Sequence, residues 1–179
     1  MAKNKVDVHN EITEKLVYVG RCAKVVKGGR RFSFATIIVA GKKGMVGIGL
    51  GKGPEVMSAK EKASKEARKN MFKVPLRDGR TIHHEVTSYF CSGKIVLRPA
   101  PSGTGIIAGG PVRAVFEALG IKDVVAKSIG TTNPHNMIKA ALSALKKINS
   151  PRYIADKRGK KIGEIVSRRD RHVVPADSE

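Results

Sequence analysis

The sequence is short of aromatic residues, cysteines and acidic residues, and each shortage excludes a class of protein. Aromatic side chains make up 4% of its 179 residues, with no tryptophan, which disfavours a protein that holds single-stranded nucleic acid by base stacking. Cys22 and Cys91 cannot build a disulfide framework and have no metal-ligand spacing. No stretch approaches the roughly 20 consecutive apolar residues of a membrane span. The polar start at residues 1–5 precedes no apolar run, which predicts no secretory signal and a cytoplasmic location.

The shortage of acid is the most informative of these. Lys and Arg number 35 against 15 Asp and Glu, which gives a formal net charge of +20. Such a balance indicates a partner with dense negative charge, either nucleic acid or an anionic membrane surface. Hydrophobic residues still make up 41% of the chain, enough to bury the core of one ordinary domain or two small ones.

The positive charge is concentrated in one segment. Residues 15–54 contain nine Lys and Arg and no Asp or Glu, whereas a surface without a binding role usually mixes both signs. We predict that these cations, two hairpin glycines and three lysines of the following helix contact RNA. The set is Lys15, Arg21, Lys24, Lys27, Gly28, Gly29, Arg30, Arg31, Lys42, Lys43, Lys52, Lys62, Lys65 and Lys69. The alternatives are a chance run in a basic protein and, for the helix, a solvated face with Glu61 and Glu66 as local partners.

The first half of the chain predicts a three-stranded antiparallel meander over residues 16–53, followed by a helix from Pro54 to about Phe72. The run at 27–30 is a Gly-Gly hairpin signal, with the two glycines expected at the centre of the turn. Alternate glycines at 47–53 leave one face of the third strand bare, so that another element can approach its backbone closely. Small residues at helical spacing, centred on Ala59, Ala63 and Ala67, predict a narrow stripe that can lie on a sheet.

The second half predicts strands at 82–90 and 94–98, a helix from Pro111 capped by Gly120, a strand at 122–129 and a helix at 133–148 that Ser150-Pro151 ends. The residues beyond are charged and aperiodic, which indicates a tail. The predicted organisation is an N-terminal extension (1–14), an RNA-binding domain (15–74), a linker (75–81), a C-terminal α+β domain (82–151) and a basic tail (152–179).

One loop offers an enzymatic alternative. Gly103-Thr-Gly105-Ile-Ile-Ala108 matches the dinucleotide pattern G-x-G-x-x-G/A between a predicted strand and a predicted helix, and Asp123 follows about twenty residues on. However, residues 99–102 intervene where the fingerprint needs a tight turn, and Asp123 begins the next strand instead of ending it. The spacing at 105–110 is Walker-like, but Pro111-Val112 replaces the required Lys-Ser/Thr. The adjacent His83 and His84 would point to opposite faces of a strand and cannot easily share a metal.

Several blocks of sequence resemble bacterial-type small-subunit ribosomal protein five. They occur in order and span about residues 11–165. The blocks are VKGGRRFSF (26–34), VGIGLGK (46–52), GTGIIAGG (103–110), VRAV (112–115), GTTNP (130–134) and KRGK (157–160).

The resemblance implies an α+β fold: a double-stranded-RNA-binding-like domain with a three-stranded antiparallel sheet and a helix, then a two-layer α+β domain with a helix pair on a sheet. It implies a non-catalytic, ribosome-bound protein without a cofactor, which contacts small-subunit rRNA, neighbours small-subunit proteins four and eight, and supports assembly and accurate decoding. By the same resemblance, the loop at 27–30 lies near the spectinomycin site, and Gly103, Gly105 and Arg113 face protein four. A nucleotide-dependent RNA-processing enzyme and a free double-stranded-RNA-binding regulator stay as alternatives.

Overall fold

The computed structural model describes the backbone of residues 12–170 and the side chains of residues 12–166. The rest of the predicted N-terminal extension, residues 1–11, and residues 171–179 of the predicted tail lie outside this range. Among the described helices, none has the length and apolar composition needed to cross a bilayer. The elements are β1 (Thr13–Val26), β2 (Gly29–Lys42), β3 (Met45–Gly53), α1 (Val56–Lys69), β4 (Phe72–Lys73), β5 (Val86–Phe90), β6 (Gly93–Pro99), β7 (Ile106–Ile107), α2 (Gly110–Leu119), β8 (Val124–Ile129), α3 (Pro134–Lys146), α4 (Pro151–Arg158) and α5 (Ile162–Asp170).

The strands form two four-stranded sheets, and the α+β class is confirmed. The first sheet has the order β1-β2-β3-β4 and is antiparallel throughout. It contains the predicted meander, extended by the two residues of β4. The second sheet has the order β5-β6-β8-β7, with β7 parallel to β8 and the other pairs antiparallel. Helices α2 and α3 pack together, and α3 lies on β5 and β6, which is the expected helix pair on a sheet.

The part of β2 from Thr36 to Gly41 is buried on both faces, since successive side chains of a strand point in opposite directions and both sides are covered. Ile38 and Ala40 pack with the alanines of α1 in one apolar cluster. Ile37 and Val39 belong to a second, larger cluster that includes Phe116 of α2 and the core of the C-terminal half. The first sheet therefore packs against α1 on one side and against the C-terminal half on the other. The limits of the two domains remain predictions.

Helix α1 packs on the face of β3 that carries no side chains. A Cβ atom built on Gly49 would overlap the carbonyl oxygen of Ala63, and one on Gly51 would overlap that of Ala59. The alanines themselves are fully buried. The glycine strand and the alanine stripe thus let a helix and a strand lie closer than larger side chains would permit, which confirms the predicted close approach.

Two segments differ from the sequence-based prediction. Residues 82–85 are not part of a strand; the first strand of the second sheet begins at Val86. Helix α3 ends at Lys146, before the predicted end at 148. Ser150-Pro151 starts α4 instead of ending α3, because the Ser150 hydroxyl accepts a hydrogen bond from the backbone N–H of Tyr153. A serine N-cap followed by proline is a helix-start signal, so residues 151–170 form two helices instead of an aperiodic segment.

Candidate nucleic-acid interface

The most prominent basic feature is the far end of the β1–β2 hairpin. The two strands pair with each other from the turn back to Gly20↔Ala35 and onward, whereas β3 pairs with β2 only from Phe34 to Lys42. Residues 20–33, which we call the arm, form a two-stranded ribbon, and residues 22–33 of the arm extend past the third strand. The arm carries five of the predicted RNA-contacting cations and no carboxylate.

The turn at the tip of the arm lies one residue earlier than predicted. Val26 pairs with Gly29, so the two central residues are Lys27 and Gly28, and the expectation of a central Gly-Gly pair is wrong. Gly29 instead opens β2 with a φ of +126°, a conformation that a side chain strongly disfavours. Glycine at 29 is required by the backbone, whereas the φ of Gly28 is not positive and a Cβ there would meet nothing within 4 Å.

The arm presents cations on both of its faces. Lys24 and Arg31 are direct cross-strand partners, and both side chains are exposed. On the other face, the guanidinium of Arg21 lies 4.6 Å from the centre of the Phe32 ring, and half of Phe32 is exposed. Like charges directly opposite each other destabilise a strand pair, so this part of the arm is suited to an anion that neutralises both cations.

The predicted cations of α1 and β3 lie beside the base of the arm and along the helix. The Lys62 ammonium donates to the carbonyl oxygen of Lys52 at 3.3 Å, near the end of β3 that adjoins the arm. Lys65 and Lys69 follow Lys62 at helical spacing, and all three are exposed. These exposed lysines lie on α1, which packs on β2 and β3.

Three of the predicted RNA contacts lie elsewhere. Lys42 and Lys43 sit at the opposite end of β2, about 40 Å from the arm tip at the rise of a strand, where Gly44 N–H donates to the carbonyl oxygen of Leu119 at 3.0 Å. Lys15 forms an ion pair with Glu117 of α2. The tertiary structure therefore divides the acid-free segment into an arm and a second group that faces the C-terminal half.

Glu14 and Lys15 are adjacent on β1 but reach opposite sides of the first sheet: Lys15 reaches α2, and Glu14 reaches α1. Glu14 accepts hydrogen bonds from the Ser64 hydroxyl at 2.7 Å and from Arg68 Nε at 2.6 Å, both on α1. Burial raises the pKa of Glu14, but these two donors outweigh it and hold the pKa below its ordinary value. This contact between β1 and α1 was not predicted from the sequence. Glu14 is the only acidic residue of β1 and lies next to Lys15, but no nearby residue in the sequence identifies its partners on α1.

The Gly103–Gly110 loop is organised by the carboxylate of Asp123, which is 2% exposed. Its Oδ1 accepts from the backbone N–H groups of Gly103 and Gly105 at 3.0 Å each. Its Oδ2 accepts from Nε and Nη2 of Arg80 at 3.0 and 2.9 Å. The Gly105 amide first, then Arg80, lower the pKa of Asp123 against the effect of burial.

This arrangement leaves neither the glycine amides nor the Asp123 carboxylate free to bind a dinucleotide. In such a site, glycine amides face the pyrophosphate and the acid faces a ribose hydroxyl. Here the amides of Gly103 and Gly105 donate to Asp123 itself, so acid and amides satisfy each other. Both glycines have positive φ values, +96° and +75°, which gives them a backbone role in shaping the loop.

Arg113, predicted to face a neighbouring protein, has contacts of its own on α2. Its Nε donates to Glu117 at 2.9 Å, one helical turn on, and its Nη1 donates to the carbonyl oxygen of Ile106 at 3.3 Å. Lys15 and Arg113 together lower the pKa of Glu117. Just over half of the Arg113 side chain is exposed, so it remains accessible to a partner.

The histidine pair is not on a strand, which corrects the expectation that its members point to opposite faces of one. His84 precedes β5; its Nδ1 donates to the carbonyl oxygen of Glu85 at 2.9 Å, and its Nε2 accepts from the N–H of Asn149 at 3.2 Å. Within the part of the chain whose side chains are described, no group of three or more His, Cys, Asp or Glu residues is placed to hold a metal ion.

Comparison with known proteins agrees with the fold. The profile described as "Ribosomal protein S5, N-terminal domain" matches residues 12–75, and "Ribosomal protein S5, C-terminal domain" matches residues 88–158. The chain is 59% identical over 162 residues to the small ribosomal subunit protein uS5 of Paramagnetospirillum magneticum, which covers 90% of this chain and 77% of the relative. It is 57% identical over 162 residues to that of Gluconacetobacter diazotrophicus (90% and 84%) and 53% identical over 169 residues to that of Gluconobacter oxydans (94% and 88%). With both halves matched and more than half of the aligned residues identical, the chain belongs to the ribosomal protein S5 family of the small ribosomal subunit.

Proposed function

We propose that this protein binds small-subunit rRNA chiefly through the arm and the adjoining face of α1, and that it stabilises the assembled subunit and supports accurate decoding. The S5 family is not enzymatic, which removes the nucleotide-dependent alternative. The function proposed is structural: the protein neutralises phosphates and fits the shape of folded RNA.

The observation that carries this proposal is the cross-strand pair of Lys24 and Arg31. Two cations held opposite each other, on a ribbon without a carboxylate, repel in the free protein. A phosphate between them removes that repulsion and releases the counterions that RNA otherwise holds. Lys27 lies in the turn itself and Arg30 follows it on β2, so both can reach phosphates near the tip.

The arm also has a suitable shape for entering RNA. Its two strands have no third strand beside residues 22–33, and a Cβ added at Gly28 would meet nothing within 4 Å. Arg21 lies over the exposed ring of Phe32, which offers a flat cation–aromatic surface for a base or ribose at the edge of a folded helix. The rest of the arm has no stacking platform, so we expect binding with little sequence readout.

The salt dependence of binding tests the proposal. Filter binding of the full chain to small-subunit rRNA should give a log Kd that depends linearly on log salt. The Lys24→Gln/Arg31→Gln double variant should reduce the slope by about 0.7–0.9 for each phosphate that the variant no longer neutralises. Lys122→Gln, an exposed lysine of the C-terminal half, is the matched control and should leave the slope unchanged. Equal slopes for all three proteins would contradict the proposed role of the arm.

Location on the ribosome is tested separately. We expect the protein to sediment with the small subunit, beside ribosomal proteins four and eight, in the cytoplasm. A free double-stranded-RNA-binding regulator would instead remain largely in the light fractions of a sucrose gradient. Quantifying the protein across the gradient decides between the two.

A further inference from the structure

One edge of strand β3 has no neighbouring strand over most of its length. On the side away from β2, β4 pairs with Met45 and Val46 alone, and no other described strand pairs there. Along residues 47–53, this side of β3, which we call the free edge, directs backbone N–H and C=O groups away from the sheet. Such an edge can pair with a strand of another chain, so proteins that remain monomeric usually cover it.

Charged side chains of α1 bond two backbone groups of the free edge. The N–H of Leu50 donates to the Glu66 carboxylate at 2.8 Å, and the carbonyl oxygen of Lys52 accepts from the Lys62 ammonium at 3.3 Å. An anion thus meets the donor and a cation meets the acceptor. Lys62 and Glu66 have the spacing of a helical ion pair, yet no ion pair joins them among the described side chains. Each charge therefore bonds the strand edge instead of its neighbour on the helix.

Asn70, one helical turn after Glu66, continues this series. Its side-chain amide donates to the carbonyl oxygen of Ile48 at 3.4 Å. Four residues of a helix rise about 6 Å and two residues of a strand rise about 6.6 Å, so the two series stay aligned as α1 and β3 run in opposite directions. The three bonded backbone groups belong to alternate residues of β3, which direct their polar groups to the same edge. We call Lys62, Glu66 and Asn70 the covering residues.

The close packing of α1 brings the covering residues to the free edge. Lys62 and Glu66 each precede one of the buried alanines, Ala63 and Ala67, so they lie beside the stripe that contacts the glycines of β3. Larger residues in place of these glycines would raise the helix from the strand and take the covering side chains out of hydrogen-bonding reach. The glycine strand and the covering residues therefore act together.

The free edge is complementary to itself. Two copies paired antiparallel about Leu50 would place Leu50 opposite its counterpart and Ile48 opposite Lys52, with the outward N–H and C=O groups of these residues bonded. Residues 47–53 contain no proline and no acid, which are common obstacles to such pairing. The Leu50 side chain is 36% exposed, so an apolar group lies at the centre of this contact.

We propose that the free edge is a pairing site for a second copy of this chain, and that the covering residues keep it closed while the protein is outside the ribosome. The net charge of +20 does not suffice to separate the copies, because salt at physiological strength screens repulsion beyond about 8 Å. Local hydrogen bonds at the edge act at contact distance, where screening does not remove them.

Removal of the covering charges tests the proposal in the free, full-length chain. The Lys62→Ala/Glu66→Ala variant removes one cation and one anion. The control, Lys60→Ala/Glu61→Ala, removes the same charges at exposed positions of the same helix. Alanine is the best helix former, so both variants should fold, which circular dichroism checks. In sedimentation velocity at physiological salt, we expect the first variant to form dimers and the control to stay monomeric like the wild type.

An introduced cysteine shows whether such dimers form through the free edge. With Cys22→Ser and Cys91→Ser as background, Leu50→Cys places a thiol at the centre of the pairing, where opposed Cα atoms would be about 5.5 Å apart and a disulfide can form. Lys122→Cys, at an exposed position of the C-terminal half, measures random collision. Removing the covering charges should raise the disulfide yield at position 50 by roughly tenfold, the effect of about one hydrogen bond to a charged group, and leave the yield at 122 unchanged.

Hydrogen exchange measures the closure without any association. At a protein concentration low enough to keep it monomeric, Glu66→Ala should speed exchange of the Leu50 amide by roughly tenfold. The amides of Gly49 and Gly51, which face β2, should not change. A monomeric double variant, equal disulfide yields at 50 and 122, equal association of the control, or an unchanged Leu50 amide would each overturn the proposal. These measurements use the free protein, so failure of the RNA-binding tests would not alter them.

Discussion

Arg80 and Asp123 are joined by two hydrogen bonds to one carboxylate oxygen, at 3.0 and 2.9 Å. Arg80 lies in the predicted linker and Asp123 just before β8, and the backbone of Asp123 also donates to the carbonyl oxygen of Arg80 at 3.2 Å. The linker is thereby fastened to the second sheet. The other carboxylate oxygen holds the glycine loop, so one buried acid fixes two irregular segments.

The first prediction concerns acid sensitivity of this junction. The pKa of Asp123 is lower in the folded protein than the ordinary value of about 4. Its stabilising contribution is therefore complete above that value and is lost as the pH falls towards the folded pKa. Asp123→Asn should lower the free energy of unfolding at pH 6, and the gap from wild type should narrow near pH 3.5.

Denaturant unfolding at the two pH values measures that gap. Asp78→Asn is the control, because Asp78 is 80% exposed and 3.6 Å from Arg77, an ion pair of little expected value. Asp78→Asn should change stability little at either pH. A gap for Asp123→Asn that stays constant between pH 6 and pH 3.5 would show that its carboxylate does not act as described.

The second prediction concerns the close packing of the α1 alanines on the glycines of β3. Gly49→Ala forces a methyl group onto the carbonyl of Ala63, so the helix must move from the sheet. We expect the free energy of unfolding to fall by about 1–3 kcal/mol, as in overpacked cores. Gly28→Ala, where the added carbon meets nothing, is the control. Equal stabilities of these two variants in urea unfolding would contradict the close packing.

The third prediction uses the tip of the arm. Gly28→Asp adds a negative charge at a position with open space and no positive φ, so the free protein should keep its thermal stability. Subunit assembly or the response to spectinomycin should nevertheless change, because the new carboxylate repels phosphates. Gly28→Ala should behave as wild type. Gly29→Ala should destabilise the free protein by about 1 kcal/mol, since its φ is +126°.

These variants separate a docked arm from an ordinary turn. If the arm makes no RNA contact, Gly28→Asp will match Gly28→Ala in gradient profiles of assembling subunits and in drug response. That result would remove the docking claim while leaving the turn geometry intact.

The fourth prediction concerns Arg113. Arg113→Leu removes the pair with Glu117 and the hydrogen bond to Ile106, both partly exposed, so stability should change by under about 0.5 kcal/mol. Translational misreading should change, because the side chain is accessible to a neighbouring protein. A dual-reporter misreading assay measures this, with subunit profiles as the control for assembly. Normal accuracy in normally assembled subunits would refute a role at such an interface.

Local patterns in the sequence were sufficient for most elements of this fold. Gly120 ends α2 in the left-handed conformation, as predicted, and the helix predicted from residue 133 starts there, where the Asn133 side chain accepts from the N–H of His135. The stripe of small residues centred on Ala59, Ala63 and Ala67 packs on the glycine face of β3, as its spacing predicted. These features depend on spacing of a few residues, which the sequence states directly.

The partners of individual charges could not be read in this way. Lys15 and Arg21 are alike as members of an acid-free segment, yet Lys15 pairs with Glu117, 102 residues away, and Arg21 lies on the exposed arm. The sequence alone determined the fold class, the basic surface and the family resemblance, because these follow from composition, periodicity and motif order. Only the tertiary structure decided which cations remain available to RNA, why Asp123 holds a loop and not a nucleotide, and which side chains cover the free edge of β3, because long-range contacts depend on how the elements pack.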